Sequence, residues 1–235
     1  MLRFGSNYRK AALMKSAAVP TSARLTIDVW ADVLCPWCYL GEERLSRAVE
    51  MSPHGASIEL KVHTFQLDPA APTTVAPTLE YLAKKYSVSP AQARAMEESL
   101  AKKAVAEGLR YEVDRPAGNT LDLLRLVHLG GEYQVSWAFL RAMQTEVFSG
   151  NDDAFAHSTL IRLGEALGIP VDEVRDVLAT DRYTDAVRAD HDEAVRLGAQ
   201  GVPFTVLGKR LGIPGAVSTS QYADAIERAW GQVDG

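Results

Sequence analysis

The rhythm of apolar and polar positions changes several times along this chain. Leu25 to Leu34 is rich in Leu, Ile, Val and Trp with two Asp interruptions, and it predicts a buried strand. Leu40, Leu45, Ala48 and Val49 then follow helical spacing, up to a stop at Ser52-Pro53-His54-Gly55. Next, Ile58, Leu60 and Val62 alternate with Glu59, Lys61 and His63, the period of a half-buried strand. The chain therefore opens strand, helix, strand, as a parallel βαβ unit does.

Strand signals stop from about Thr73 to about Thr180. Leu79, Leu82 and Tyr86 follow Thr78 at helical spacing, and Ser89-Pro90-Ala91-Gln92 has the form of a capping box with Pro at the first helical position. Gly108 is expected to end that helix, Asn119 to cap the next and Gly130-Gly131 to stop it. Helical patterns continue over 132–148, 153–167, 171–179 and 181–198. Phe204 to Leu207 and Leu211 to Ile213 then predict two short strands turned by Gly208-Lys209-Arg210, and Ser218 to Gln221 opens a final amphipathic helix through Trp230. Joined, the two ends have the element order of a thioredoxin fold. The expected class is α/β, a thioredoxin-like fold with a large all-helical insertion: residues 25–72 and 186–235 form the thioredoxin-like part and 73–185 the inserted helical domain.

Composition narrows the chemistry. With 235 residues and 47% hydrophobic content the chain can bury a full core without disulfides or metal, so its only two cysteines, Cys35 and Cys38, call for a chemical explanation. The formal charge of −5 divides into five basic residues without an acid in 1–24 and −10 over the rest. An acidic body with no basic stripe argues against a nucleic-acid partner. The basic first 24 residues lack the apolar run of an export signal and are expected to be a disordered tail. No stretch approaches the ~18 apolar residues of a membrane span, so no membrane partner is expected, and the location is expected to be cytoplasmic.

If Cys35 caps the helix, Pro36 falls at its first position and Cys38 at its third. The Cys35 sulfur can then accept a free helical N–H and feel the positive end of the helix dipole, while three-residue spacing places both sulfurs on one face within reach of a disulfide. Cys35 is expected to attack and Cys38 to resolve the mixed disulfide. A purely stabilising bridge over four residues explains the pair badly, because it removes only about 2 kcal/mol of loop entropy against nearly 5 for a 100-residue loop. Zinc would need four ligands, and His54, His63, His128, His157 and His191 are scattered without ligand spacing, so no metal is expected.

CPWCYLG after a strand, FQLDP at 65–69, GNT at 118–120, GAQGVPF at 198–204 and PGA at 214–216 form an ordered set. Together they resemble a DsbA-like thiol-disulfide oxidoreductase of the FrnE subgroup, from about Leu25 to Trp230. The resemblance implies that Val202-Pro203 is a cis peptide beside the dithiol, presenting the Val202 backbone to an extended substrate; the residues alone leave a plain strand-initiating proline as the alternative. It also implies a substrate surface of Pro36, Trp37, Phe65, Gly201, Val202 and Pro203. Asp32, three residues before Cys35, is either a proton relay to Cys38 or a solvated loop acid. The chain departs from the family pattern at Leu123-Leu124-Arg125, where Ala-His-Arg is usual, and at Gly215-Ala216-Val217, where Gly-Ala-Gln is usual.

Trp37 cannot supply the positive charge of a His between the cysteines, so reductase or isomerase turnover is expected rather than net oxidation. Expected partners are disulfide-containing proteins or small molecules, with the protein a monomer or homodimer. No cofactor is expected beyond the redox-active Cys35–Cys38 disulfide, with an external thiol reductant or glutathione as electron source. Two other functions fit the same pattern. One is a glutathione-dependent isomerase or transferase of the 2-hydroxychromene-2-carboxylate isomerase type, against which Cys38 counts. The other is a chaperone-like module binding apolar segments through Trp37, Phe65 and Pro203.

Overall fold

The computed structural model describes residues 24–232; the basic tail expected over 1–24 lies, but for Arg24, outside the described residues. Its centre is a four-stranded sheet in the order β2-β1-β5-β6, where β1 is Leu25–Ala31, β2 Ile58–Thr64, β5 Phe204–Leu207 and β6 Leu211–Pro214. β1 and β2 run parallel, Leu25 opposite Ile58 through Ala31 opposite Thr64, joined by helix α1 (Pro36–Met51). β5 and β6 are antiparallel, as a two-strand hairpin must be.

Alternation along β1 explains both sheet faces. Leu25, Ile27 and Val29 meet Leu45 and Ala48 of α1, together with Tyr222, Ala225 and Ile226 of α9 (Thr219–Trp230). Trp30 points the other way, into a cluster with Phe65, Ala194, Phe204 and Val206 under α8 (Thr184–Arg196). Asp28 shares that second face, so one acid of the apolar run lies inside the fold rather than in water. The strand ends at Ala31 rather than Leu34, because Asp32 accepts the Leu34 N–H through Oδ1 and the Cys35 N–H through its carbonyl, turning the chain into α1.

Between the halves lie helices α2 (Thr78–Tyr86), α3 (Pro90–Ala106), α4 (Leu121–Glu132), α5 (Ser136–Phe148), α6 (His157–Ala166) and α7 (Val171–Ala179). The Ser89 and Ser218 capping boxes form as the sequence predicts. Three expectations need correction. Gly130-Gly131 does not stop α4, which runs on to Glu132; a Cβ on Gly130 would come within 3.1 Å of the Ser136 backbone, so this glycine permits a close helix approach. Asn119 accepts the Leu121 N–H but lies one residue before the cap. The block is not purely helical, since two-residue strands β3 (Ala76–Pro77) and β4 (Pro116–Ala117) pair across its entrance.

The largest buried cluster joins Ala31, Val33, Cys35, Cys38 and Tyr39 to Leu123, Leu126, Phe139, Met143 and Phe148 of the helical block. The dithiol therefore packs directly against the helices.

Candidate functional site

Cys35 is the N-cap of α1 in extended geometry, with Pro36 in the first turn. Its sulfur accepts the Cys38 N–H at 3.4 Å, the contact predicted from the spacing. The Cys35 thiol also points at the Val202 carbonyl oxygen, 3.5 Å away. Both cysteines are free thiols. Cys35 keeps 4% exposure and Cys38 none, so only Cys35 can be met from outside. Burial pushes the Cys38 thiol well above its ordinary range, and the neighbouring Cys35 sulfur and Glu42 carboxylate add to the rise.

Val202-Pro203 is a cis peptide, and Gly201 and Val202 line, together with Cys35, a cavity of about 290 Å³. Its lining includes Asp32, Leu34, Cys35, Pro36 and Trp37 and also Leu67, Tyr81, Leu82, Lys85, Met96 and Arg115, contributed by the loop after β2 and by the helical block. Trp37 stands 41% exposed at this cavity. Phe65 and Pro203 do not line it. Phe65 stacks on His191 at 4.2 Å within the Trp30 cluster, and Val202 rests against that cluster, so Phe65 lies behind the peptide that faces the sulfur. Pro203 is buried over Gly41 of α1, where a Cβ would come within 3.1 Å of its ring.

Asp32 is not a solvated loop acid. It is 1% exposed and accepts from Leu34 N–H, Leu67 N–H and the Thr120 hydroxyl at 3.2, 2.8 and 3.2 Å. Burial raises its pKa against those three hydrogen bonds. The cations lining the cavity are paired with acids that also line it: Lys85 lies 3.0 Å from Asp68, and Arg115 meets Glu97 at 2.5 Å.

Two groups of residues escape a sequence reading. Glu42, in Gly41-Glu42-Glu43-Arg44, has the look of a solvated helix face, yet its side chain is fully buried one turn beyond Cys38. Only its i+4 spacing from Cys38 could have marked it. Two of the histidines, His63 and His128, scattered in sequence, converge in space. His63 meets Asp28 at 2.8 Å and Asp190 at 3.4 Å, and His128 reaches Asp190 at 3.2 Å. His63, Asp190 and Glu193 bring ligand-type atoms within 4.8 Å of one another. Both nitrogens of His63 are already met by carboxylates, so the group is an ion-pair network that ties α8 to β2.

A strand that delivers a Cys-X-X-Cys pair to a helix start, beside a cis-proline turn, defines a protein of the thioredoxin fold with a dithiol site. Within that class the chain belongs to the DSBA-like thioredoxin domain family, which matches residues 26–227. It is similar to the crystal structure of a probable DsbA oxidoreductase from Streptomyces coelicolor, at 38% identity and a TM-score of 0.82, over 89% of this chain and 91% of that one. The cytosolic disulfide reductase DsbM from Pseudomonas aeruginosa shares the fold at 18% identity and a TM-score of 0.54, over 89% and 97%. A 2-hydroxychromene-2-carboxylate isomerase does so at 16% and 0.60, over 89% and 96%. No curated protein matches the chain.

Proposed function

We propose that this protein is a cytoplasmic thiol-disulfide oxidoreductase of the FrnE subgroup that reduces or isomerises disulfides. The observation that carries this reading is the single placement of Cys35: at a helix N-cap, on the Cys38 N–H, opposite the Val202 carbonyl and at the edge of the cavity. The Cys35 thiolate attacks a substrate disulfide, forming Cys35–S–S–R and releasing one substrate thiolate. Cys38 then attacks the Cys35 sulfur, closing the Cys35–Cys38 disulfide and releasing the second thiolate. The substrate gains two electrons and the dithiol loses them; an external thiol such as glutathione returns them.

Substrate size follows from burial. A sulfur with 4% exposure at a walled cavity admits an extended peptide strand or a small disulfide, which can be gripped by the Val202 backbone and the Trp37 ring. No helix among the described residues is long and apolar enough to cross a membrane.

The test compares insulin and glutathione-disulfide reduction by wild type, Cys35→Ser and Cys38→Ser. Both variants lose turnover, and only Cys38→Ser accumulates mixed disulfides. Turnover indifferent to both changes sinks the proposal in favour of a binding module, and isomerase activity that survives Cys38→Ser favours the glutathione-dependent alternative.

A further inference from the structure

We infer that Glu42 accepts the proton that Cys38 must lose before it can resolve the mixed disulfide, an assignment that rests on the dithiol reading above. Cys38 poses a specific difficulty for that chemistry. It has no exposure, so water cannot take its proton directly, and burial holds it as a thiol at neutral pH. Resolution needs the thiolate. A base must therefore be supplied from inside the protein.

Two residues with buried carboxyls act on Cys38, Asp32 through its backbone and Glu42 through its charge. Asp32 is engaged by the three donors described above, and those hydrogen bonds hold its oxygens toward the loop backbone and Thr120. Glu42 is different. It lies one turn along α1 from Cys38, the spacing at which helical side chains are neighbours, and a helical side chain leans back toward the preceding turn. Its Oε1 accepts the Gln144 amide at 3.1 Å, whereas its Oε2 is buried without any hydrogen-bond partner. Arg141 Nη1 stays 3.7 Å from that oxygen and gives its two hydrogen bonds to the Tyr39 carbonyl and Gln144 Oε1, while Nη2 donates to Glu43. A carboxylate oxygen that accepts no hydrogen bond in the interior, with its nearest cation 3.7 Å away, is costly, and a proton is the smallest group that relieves it.

The charged and titratable groups that face Glu42 are Cys38 on its own helix, Arg141 on α5 and Tyr222 on α9. Burial raises the Glu42 carboxyl to about 7, with the Arg141 charge and the Gln144 hydrogen bond limiting the rise. Near neutral pH such a group both takes and returns a proton. The step balances. The Cys38 S–H proton moves to Glu42 Oε2, the Cys38 thiolate attacks Cys35 Sγ, the Cys35–Cys38 bond forms and the Cys35–substrate bond breaks. The substrate leaves as a thiolate and Glu42 remains as the neutral acid until the disulfide is next reduced.

Stopped-flow reaction of the reduced protein with 5,5′-dithiobis(2-nitrobenzoate) separates the steps. The first chromogenic thiolate is released by Cys35 attack and the second by Cys38 resolution. In wild type the second phase has an inflection near pH 7. In Glu42→Gln that inflection disappears and the second phase slows about 10- to 100-fold at pH 7 while the first phase is kept, a split that a merely structural role would not give. Gln144→Leu, which removes the amide donor and leaves the carboxyl, moves the inflection to higher pH; this variant decides the matter should Glu42→Gln fail to fold. An inflection that survives Glu42→Gln, that vanishes in Asp32→Asn instead, or that stays in place in Gln144→Leu overturns the assignment. A wild-type protein that releases no first equivalent overturns the dithiol reading and this inference with it.

Discussion

The Cys35 sulfur lies 3.5 Å from the Val202 carbonyl oxygen although 167 positions separate the two residues in the chain. The fold thus makes one face of the sulfur, and seals the other. On the sealed side sits Cys38, without exposure and held as a thiol by its burial.

This asymmetry predicts the outcome of alkylation. A thiol that burial holds well above its usual range carries little thiolate at pH 7, and the same burial bars the reagent from its sulfur. Reduced native protein treated with iodoacetamide therefore takes up one adduct, at Cys35, and a second appears only in denaturant. Peptide mass spectrometry reads the site directly. Rapid double labelling of the folded protein would contradict the described burial.

The Val202–Pro203 turn rests on Gly41. A Cβ there would approach the Pro203 ring at 3.1 Å and the Ala216 Cβ at 3.2 Å, so any side chain must push the turn outward. Gly41→Val is expected to cost about 1–3 kcal/mol as an overpacked contact and to lower kcat/KM for disulfide reduction roughly tenfold. Urea unfolding and insulin reduction measure the two effects. Cys35 alkylation persists, because the cap on α1 is formed locally. A Gly41→Val protein with wild-type kcat/KM would mean that the turn's position does not matter to turnover.

Trp37 gives the site its polarity. It lines the cavity beside Cys35 and is 41% exposed, and it brings no charge. Trp37→His places a titratable cation next to the sulfur, favours the thiolate of the reduced form and so makes the disulfide a stronger oxidant. A shift of about 30 mV or more toward oxidising potential is expected, since 30 mV corresponds to ~1.4 kcal/mol. Equilibration with glutathione buffers gives the number, and an unchanged or more reducing potential argues that Trp37 has no part in setting redox direction.

How much of this was legible in the sequence depends on how local the cause is. The Cys35 cap, Pro36 and the Ser89 and Ser218 capping boxes form from contacts within four residues, and each appears where the pattern placed it. The order of elements at the two ends, strand-helix-strand and then strand-strand-helix, follows from local periodicity and was readable too. What failed depends on distant partners. Gly130 reads as a helix stop unless one knows that Ser136 folds back against it, and Asp32 reads as a loop acid unless Leu67 and Thr120 are seen to close over it. Glu42 carries the same lesson. Adjacent Glu42 and Glu43 are equivalent on paper, yet one is sealed beneath the dithiol while the other pairs with Arg141 and Arg47 nearer the surface.

The histidine network supplies a test of stability rather than of catalysis. His63 lies between Asp28 and Asp190, while Thr64 N–H and hydroxyl and His128 hold the second Asp190 oxygen. Burial pulls the His63 pKa down, but the hydrogen bonds and charges of Asp190 and Asp28 outweigh it and raise it to about 9. A histidine bound more tightly to its proton in the folded state stabilises fully below its ordinary value of 6.5, and that contribution fades as pH rises through about 9. The window carries on the order of 3 kcal/mol. Asp190, lowered by His128 and His63 against its own burial, acts on the other side: its contribution is present above 3.8 and is lost only as pH falls below that. His63→Gln is therefore expected to be less stable than wild type at pH 6 by roughly 3–5 kcal/mol, because the carboxylates lose their buried partner, and this difference in unfolding free energy is expected to shrink at pH 8 and further at pH 10. Comparing the two proteins cancels the cysteine and tyrosine titrations common to both. Parallel curves would show that His63 is neutral in the folded protein, and the tie between Asp190 of α8 and β2 would then rest on the Thr64 N–H and hydroxyl.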